Sequence, residues 1–257
     1  MTAESAHRPR RNLGRTTLVV VGWVVAAVLL VAIIFLVWTQ TVMQGERPAA
    51  LKAWNDDAVT ITSTDDAIIL QPTEPSTGDG LVFVPGARVD PYAYMYKLTG
   101  IVEQGTTVVI TKPTLNLAFF DQRPLSTFTA EAPDVDRWFV GGHSLGGVRA
   151  CMLAADSDVA GLVLFGSYCA NDLSESGLPV LSISGENDGL STPSKITDAA
   201  PLLPSDARFV QIQGANHASF GDYGVQPGDG EATTPSGDVR DQITQAWTAF
   251  LGLEQAS

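Results

Sequence analysis

The chain has 257 residues, 45% of them hydrophobic, enough for one well-cored domain and an appendage. Its net charge of −13 is uneven: residues 1–15 carry four arginines and one glutamate, or +3, which leaves −16 on the rest. That acidic bulk argues against nucleic-acid binding and against docking on anionic lipid through a basic patch.

The appendage comes first. Leu18–Trp38 reads LVVVGWVVAAVLLVAIIFLVW, with no charged residue between Arg15 and Glu46. As a helix, those 21 residues are about 30 Å long, the thickness of a bilayer's hydrocarbon core. The run has no polar face, is longer than a cleavable signal and lacks a small-residue cleavage site at its end, so it reads as an uncleaved signal anchor. Arg8, Arg10, Arg11 and Arg15 precede it, and the positive-inside bias keeps that tail in the cytoplasm and the large domain outside. The expected organisation is a basic tail over 1–15, a transmembrane segment over 16–39, a linker over 40–56 and a catalytic domain over 57–257.

Within that domain, Val59–Thr62 and Ala67–Gln71 flank Ser-Thr-Asp-Asp and predict an antiparallel hairpin. Short apolar runs follow at Leu81–Val84, Thr107–Thr111, Trp138–Val140, Gly161–Phe165, Val180–Ser184 and Phe209–Ile212. They are continuous rather than alternating, which predicts strands covered on both faces and hence a parallel sheet. Helices are expected between them at Pro91–Gln104, Thr127–Ala132, Gly146–Ala155 and Pro193–Leu202. A last helix over 239–251 carries the stripe Val239, Ile243, Trp247, Phe250 and Leu251. The alternation defines a doubly wound α/β domain. The connections are too short to hold a large cap.

The strongest local signal is Gly142-His143-Ser144-Leu145-Gly146, a G-x-S-x-G after an apolar strand and before a helix-forming stretch. A serine at the tip of a tight strand-to-helix turn needs a strained backbone, and side chains two positions away on either side would collide. Ser144 is therefore the expected nucleophile. Of the three histidines, His7 lies in the basic tail and His143 is expected to point elsewhere, which leaves His217 as the base. The orienting acid should follow a strand between Ser144 and His217 in chain order, and Asp188 in Gly185-Glu186-Asn187-Asp188-Gly189 is the choice, with Glu186 second.

The oxyanion donors are expected at the Leu145 N–H and in the loop after Leu81–Val84, at Ala87 or neighbouring Gly86. Asn116, Phe119 and Phe120, beyond a strand's C-terminal end, are candidate substrate contacts. Tyr92, Tyr94 and Tyr96 read as core packing, Asp222 and Asp229 as solvated loop. Cys151 and Cys169 are equally compatible with a disulfide in an oxidising compartment and with two buried thiols. No metal or cofactor is expected.

GGHSLGG, SGEND and GANHASFGDYG, in that order, resemble the α/β-hydrolase superfamily. Together with FVPGARVDPYAY and ITKPTLNLAFF, they are similar to a cap-less bacterial branch distantly related to dienelactone hydrolases. The resemblance covers about residues 57–252 and implies an esterase-type triad of Ser144, Asp188 and His217. Dienelactone hydrolases themselves use a cysteine nucleophile, and neither cysteine here stands in an elbow, so their substrate is not implied. The expected activity is ester hydrolysis on a small-molecule or lipid ester. Acyl transfer by the same triad and a catalytically silent envelope scaffold are the alternatives.

Overall fold

A computed structural model describes residues 13–252, which divide after Thr41 into two compact units. The first contains helix α1 (Leu13–Gln40), whose stretch Thr16–Gln40 has a mean hydropathy of 3.2. By length and composition it is able to cross a membrane. The expected basic tail, including His7, Arg8, Arg10 and Arg11, lies outside the described residues, as does the Arg15 side chain.

The second unit holds an eight-stranded sheet in the order β1-β2-β4-β3-β5-β6-β7-β8. The strands are β1 (Val59–Ser63), β2 (Ala67–Pro72), β3 (Asp79–Val84), β4 (Thr107–Thr111), β5 (Arg137–His143), β6 (Gly161–Phe165), β7 (Val180–Gly185) and β8 (Arg208–Ile212). β1 and β2 form the predicted hairpin, β2 adds antiparallel to β4, and β3 to β8 are parallel. The chain runs from β3 out to β4 and then returns across β3 to β5. That reversal opens a crevice at the C-terminal ends of β3 and β5, where open α/β sheets bind ligands.

Side chains on β3 alternate between two cores. Leu81 and Phe83 meet α2 (Arg47–Trp54), α3 (Met95–Glu103) and α7 (Ser236–Leu251) through Ala53, Leu98, Val239 and Trp247. Val82 and Val84 meet α4 (Leu125–Thr129) and α5 (Leu145–Asp156) through Phe128, Ala150 and Leu153. Sandwiched in this way, β3, β4, β6 and β7 are buried along their whole length, which is why they read as unbroken apolar runs. α6 (Pro193–Ala199) leads into a 3-10 turn at Ala200–Leu202.

Several boundaries differ from the sequence expectation. Residues 42–56 are not a free linker. Met43 bridges to Val89, the Glu46 N–H donates to the Asp222 carbonyl at 2.6 Å, and α2 buries Ala49 and Ala53. Pro48 suits the first turn of that short helix because a first-turn amide needs no intrahelical partner. The helix expected from Pro91 begins as a 3-10 turn (Pro91–Tyr94) and becomes α3 only at Met95. α4 starts earlier than expected, at Leu125, because Pro124 sets its entry in an extended conformation.

Cys151 on α5 and Cys169 beyond β6 form a disulfide. It closes a loop with a sequence separation of 18, for which chain entropy predicts about 3 kcal/mol of stabilisation. Denaturant unfolding with and without reductant should show a loss of about that size.

Candidate active site

Ser144 stands between β5 and α5 with φ 53° and ψ −124°, a conformation strained for any L-residue. Its N–H donates to the Phe165 carbonyl at 3.1 Å, and its own carbonyl accepts from Ser167 Oγ at 2.7 Å. The glycines act as the sequence implies. A Cβ on Gly142 would lie 2.5 Å from the Gly146 carbonyl carbon, and one on Gly146 would strike the Val84 carbonyl oxygen. The elbow is thus wedged against the end of β3, where the second oxyanion donor is expected.

Asp188 follows β7 and is buried. Its Oδ1 accepts from the Leu190 and Ser191 N–H groups at 2.8 and 2.7 Å, which leaves Oδ2 facing His217 Nδ1 at 2.8 Å. Glu186, the second choice for the acid, is exposed and accepts from the Gly214 N–H at 2.9 Å, away from His217. His217 opens a 3-10 turn (His217–Phe220) capped reciprocally by Asn216 and Ser219. Its Nε2 is buried and makes no hydrogen bond, so Ser144 Oγ and the imidazole are not joined directly in this structure. Such contacts commonly tighten only once substrate is bound.

Three expectations about neighbouring residues need correction. His143 does not point away: as the last residue of β5 it enters the core, and its ring packs 4.4 Å from that of His217. Asp229 is no solvated loop residue. Its Oδ1 accepts from the N–H groups of Gly189 (3.1 Å), His217 (3.0 Å) and Gly230 (2.7 Å), and its Oδ2 from Ala218 (2.9 Å), clamping the acid and base loops together. Asp222 is buried and paired with the equally buried Lys97 at 2.7 Å, because a buried charge persists only with a partner. Desolvation pulls the Lys97 ammonium below its usual value, against the attraction of Asp222.

The expected oxyanion donors separate cleanly. No hydrogen bond within the described chain occupies the N–H of Leu145 or that of Ala87. The Gly86 N–H, by contrast, already donates to Tyr94 Oη at 2.9 Å, so Gly86 is not a free donor. The Ala87 amide is left unpaired at the end of β3. Tyr94 is buried as expected, yet its hydroxyl has a polar task, while Tyr92 and Tyr96 are half-buried.

Beside Leu145 lies an apolar cavity of about 200 Å³ walled by Phe119, Gln122, Leu145, Val148, Arg149 and Met152. Of the expected contacts, only Phe119 belongs to it. Phe120 packs edge-on against the Phe119 ring at 5.9 Å, and the Asn116 carbonyl accepts from the Arg88 N–H at 2.8 Å, bracing the Ala87 loop. Leu145, Val148, Arg149 and Met152 share one helical face, so the spacing carried a signal that the strand-end argument overlooked. Among the described residues, no group of three or more His, Cys, Asp and Glu side chains is placed to hold a metal.

Comparison with known proteins agrees with this architecture. Residues 80–241 match the model of the α/β-hydrolase family, more than half of the chain, and the chain belongs to that family. An esterase domain from Rhodothermus marinus superposes with a TM-score of 0.55 at 13% identity, covering 74% of this chain and 97% of that one. A dienelactone hydrolase from Anabaena variabilis gives 0.53 at 17% identity, covering 75% and 98%. An α/β serine hydrolase without a lid, from Xanthomonas campestris, gives 0.53 at 12%, covering 78% and 97%. At these identities the likeness is one of fold. No curated protein sequence matches the chain.

Proposed function

We propose that the chain is a serine hydrolase that cleaves carboxylic esters or thioesters through an acyl-enzyme on Ser144. The observation that carries this is Ser144 at positive φ on the elbow, with a buried Asp188–His217 pair 2.8 Å apart supplied by the loops after β7 and β8. In the first half-reaction Ser144 Oγ attacks the ester carbonyl carbon while its proton passes to His217 Nε2. The Leu145 and Ala87 amides stabilise the oxyanion. His217 then protonates the leaving alcohol or thiol as its bond to the acyl carbon breaks. A water deprotonated by His217 attacks the acyl-enzyme and releases the acid and Ser144. Asp188 holds the His217 proton on Nδ1 and stabilises the imidazolium. Esterase and dienelactone hydrolase are also the names carried by two of the fold neighbours.

The reading extends to place. α1 anchors the chain in the cytoplasmic membrane, the arginines before it stay inside, and the catalytic domain, beginning near Val42, lies outside the cytoplasm. A disulfide suits that oxidising side. Covalent labelling of the full-length chain by a fluorophosphonate probe tests the catalytic reading. Labelling is expected on Ser144, and an unlabelled folded chain rejects it.

The cavity beside Leu145 supports a short acyl group. About 200 Å³ holds roughly six or seven groups of water size, at about 30 Å³ each. Across a series of acyl esters with one leaving group, kcat/KM should rise about fourfold per methylene, about 0.8 kcal/mol each, and turn over near four to six carbons. Val148→Trp, which fills the cavity, should move the optimum to acetate. An unchanged profile in that variant places the acyl group elsewhere.

A further inference from the structure

Behind Ser144 runs a buried line of polar groups that the acyl-transfer steps leave unused. It begins at the Gly86 N–H, which donates to Tyr94 Oη at 2.9 Å. A tyrosine hydroxyl has one proton. With Gly86 occupying a lone pair, that proton is directed to His143 Nδ1, 2.9 Å away. His143 therefore accepts at Nδ1 and keeps its own proton on Nε2, and its ring lies against that of His217. Burial holds the His143 imidazole well below its ordinary value of 6.5, with the neighbouring His217 acting in the same direction. Burial likewise raises the Tyr94 hydroxyl far above the usual phenol range, so it keeps its proton.

Packing alone does not account for this arrangement. The Tyr94 ring meets Phe83 at 5.2 Å and Tyr223 at 6.5 Å, contacts that a phenylalanine would make equally well. The backbone is fitted to the hydroxyl: a Cβ on Gly86 would lie 2.9 Å from His143 Nδ1 and 3.1 Å from Tyr94 Oη. The amides around Ala87 are fixed as well. Arg88 N–H donates to Asn116 O at 2.8 Å and Val89 N–H to Gly86 O at 3.3 Å. Ala87 alone is left with its N–H unpaired.

We propose that Tyr94 and His143 form a hydrogen-bonded relay that positions the Ala87 N–H against the Ser144 elbow and the His217 base. They are positioning residues, and the proposal rests on the reading of Ser144, Asp188 and His217 as the triad. Hydrogen bonds tie the end of β3 to the end of β5, and the His143 ring, whose Nε2 makes no hydrogen bond, reaches the base loop by packing on His217, so an oxyanion forming at Ser144 meets a donor already in place.

The test uses the full-length chain in detergent, with ester kinetics and the rate and extent of fluorophosphonate labelling. Tyr94→Phe keeps the ring and should lower kcat and the labelling rate about tenfold. KM and the fraction labelled should stay unchanged, and the loss is smaller than the hundredfold or more of removing an oxyanion donor outright. His143→Leu should cost about the same, and the double variant no more than either, since residues acting as a unit do not add. His143→Asn, whose Oδ1 accepts from Tyr94, should recover part of kcat. Losses that multiply in the double variant overturn the relay, as does a lower Tm with kcat per labelled site unchanged. Nitrogen NMR of the unsubstituted chain tests it without any variant: His143 should carry its proton on Nε2, and a proton on Nδ1 rejects the proposal. Failure of the triad reading looks different, because it appears as an unlabelled parent chain or as labelling that survives Ser144→Ala.

Discussion

Ser144→Ala is expected to lower kcat about a millionfold and to abolish fluorophosphonate labelling. Without Oγ no acyl-enzyme forms, and what remains is binding in the cavity beside Leu145 and the two amides that polarise the carbonyl. Those parts alone leave a residual rate of about 10³ to 10⁴ over water in enzymes of this design. KM should change little, because the deleted atom contributes to the transition state rather than to ground-state binding. The variant should also fold. Alanine meets the same positive φ as serine, the Phe165 and Ser167 contacts use only backbone atoms of residue 144, and no hydrogen bond of Oγ is lost. Tm within a degree or two of the parent, measured beside the lost activity, separates chemistry from stability. Substantial hydrolysis in a folded Ser144→Ala protein would remove the nucleophile from this site.

Asp188→Asn is expected to lower kcat about 10⁴-fold, and the direction follows from its three partners. Leu190 and Ser191 N–H both donate to Oδ1, so in the variant that position must remain the amide oxygen. The amide nitrogen then occupies the Oδ2 position, where it donates to His217 Nδ1 instead of accepting from it. The imidazole is driven to carry its proton on Nε2, toward Ser144, and ceases to be a base. Glu186→Gln is the paired control, since Glu186 bonds the Gly214 amide and should leave kcat as it was. Steady-state kinetics of the two variants side by side decide the matter. A loss below tenfold in Asp188→Asn, or a large loss in Glu186→Gln, would move the acid elsewhere.

The parts of this molecule that were legible in its sequence are those governed by local periodicity or chain order. β4 and β6 fall on the expected residues because both faces of each are covered, so apolarity runs unbroken from end to end. Ser144 is singled out by its motif, Asp188 by chain order and His217 by elimination, and the structure brings Asp188 and His217 to 2.8 Å at the ends of neighbouring strands. What escaped was tertiary. α2 is eight residues long and held by its buried alanines, and no periodic stripe announces a helix of two turns. Asp229 matters through four amides from three segments, a convergence no spacing reveals. The cavity beside Leu145 joins a 3-10 turn (Ala118–Phe120) to α5. His143 is the instructive case, because its direction was available. Strand alternation places it on the face of Phe139 and Gly141, toward Tyr94 and α7, once β5 is known to continue through its glycines.

The Asp229 clamp has a consequence for motion. One carboxylate holds the amide of Gly189 in the acid loop together with those of His217 and Ala218 in the base loop. A fluctuation that frees either loop must therefore release the other, which makes the two a single cooperative opening unit. His217 and Asp188 are exposed together or protected together, and hydrogen exchange in the two loops is thereby coupled.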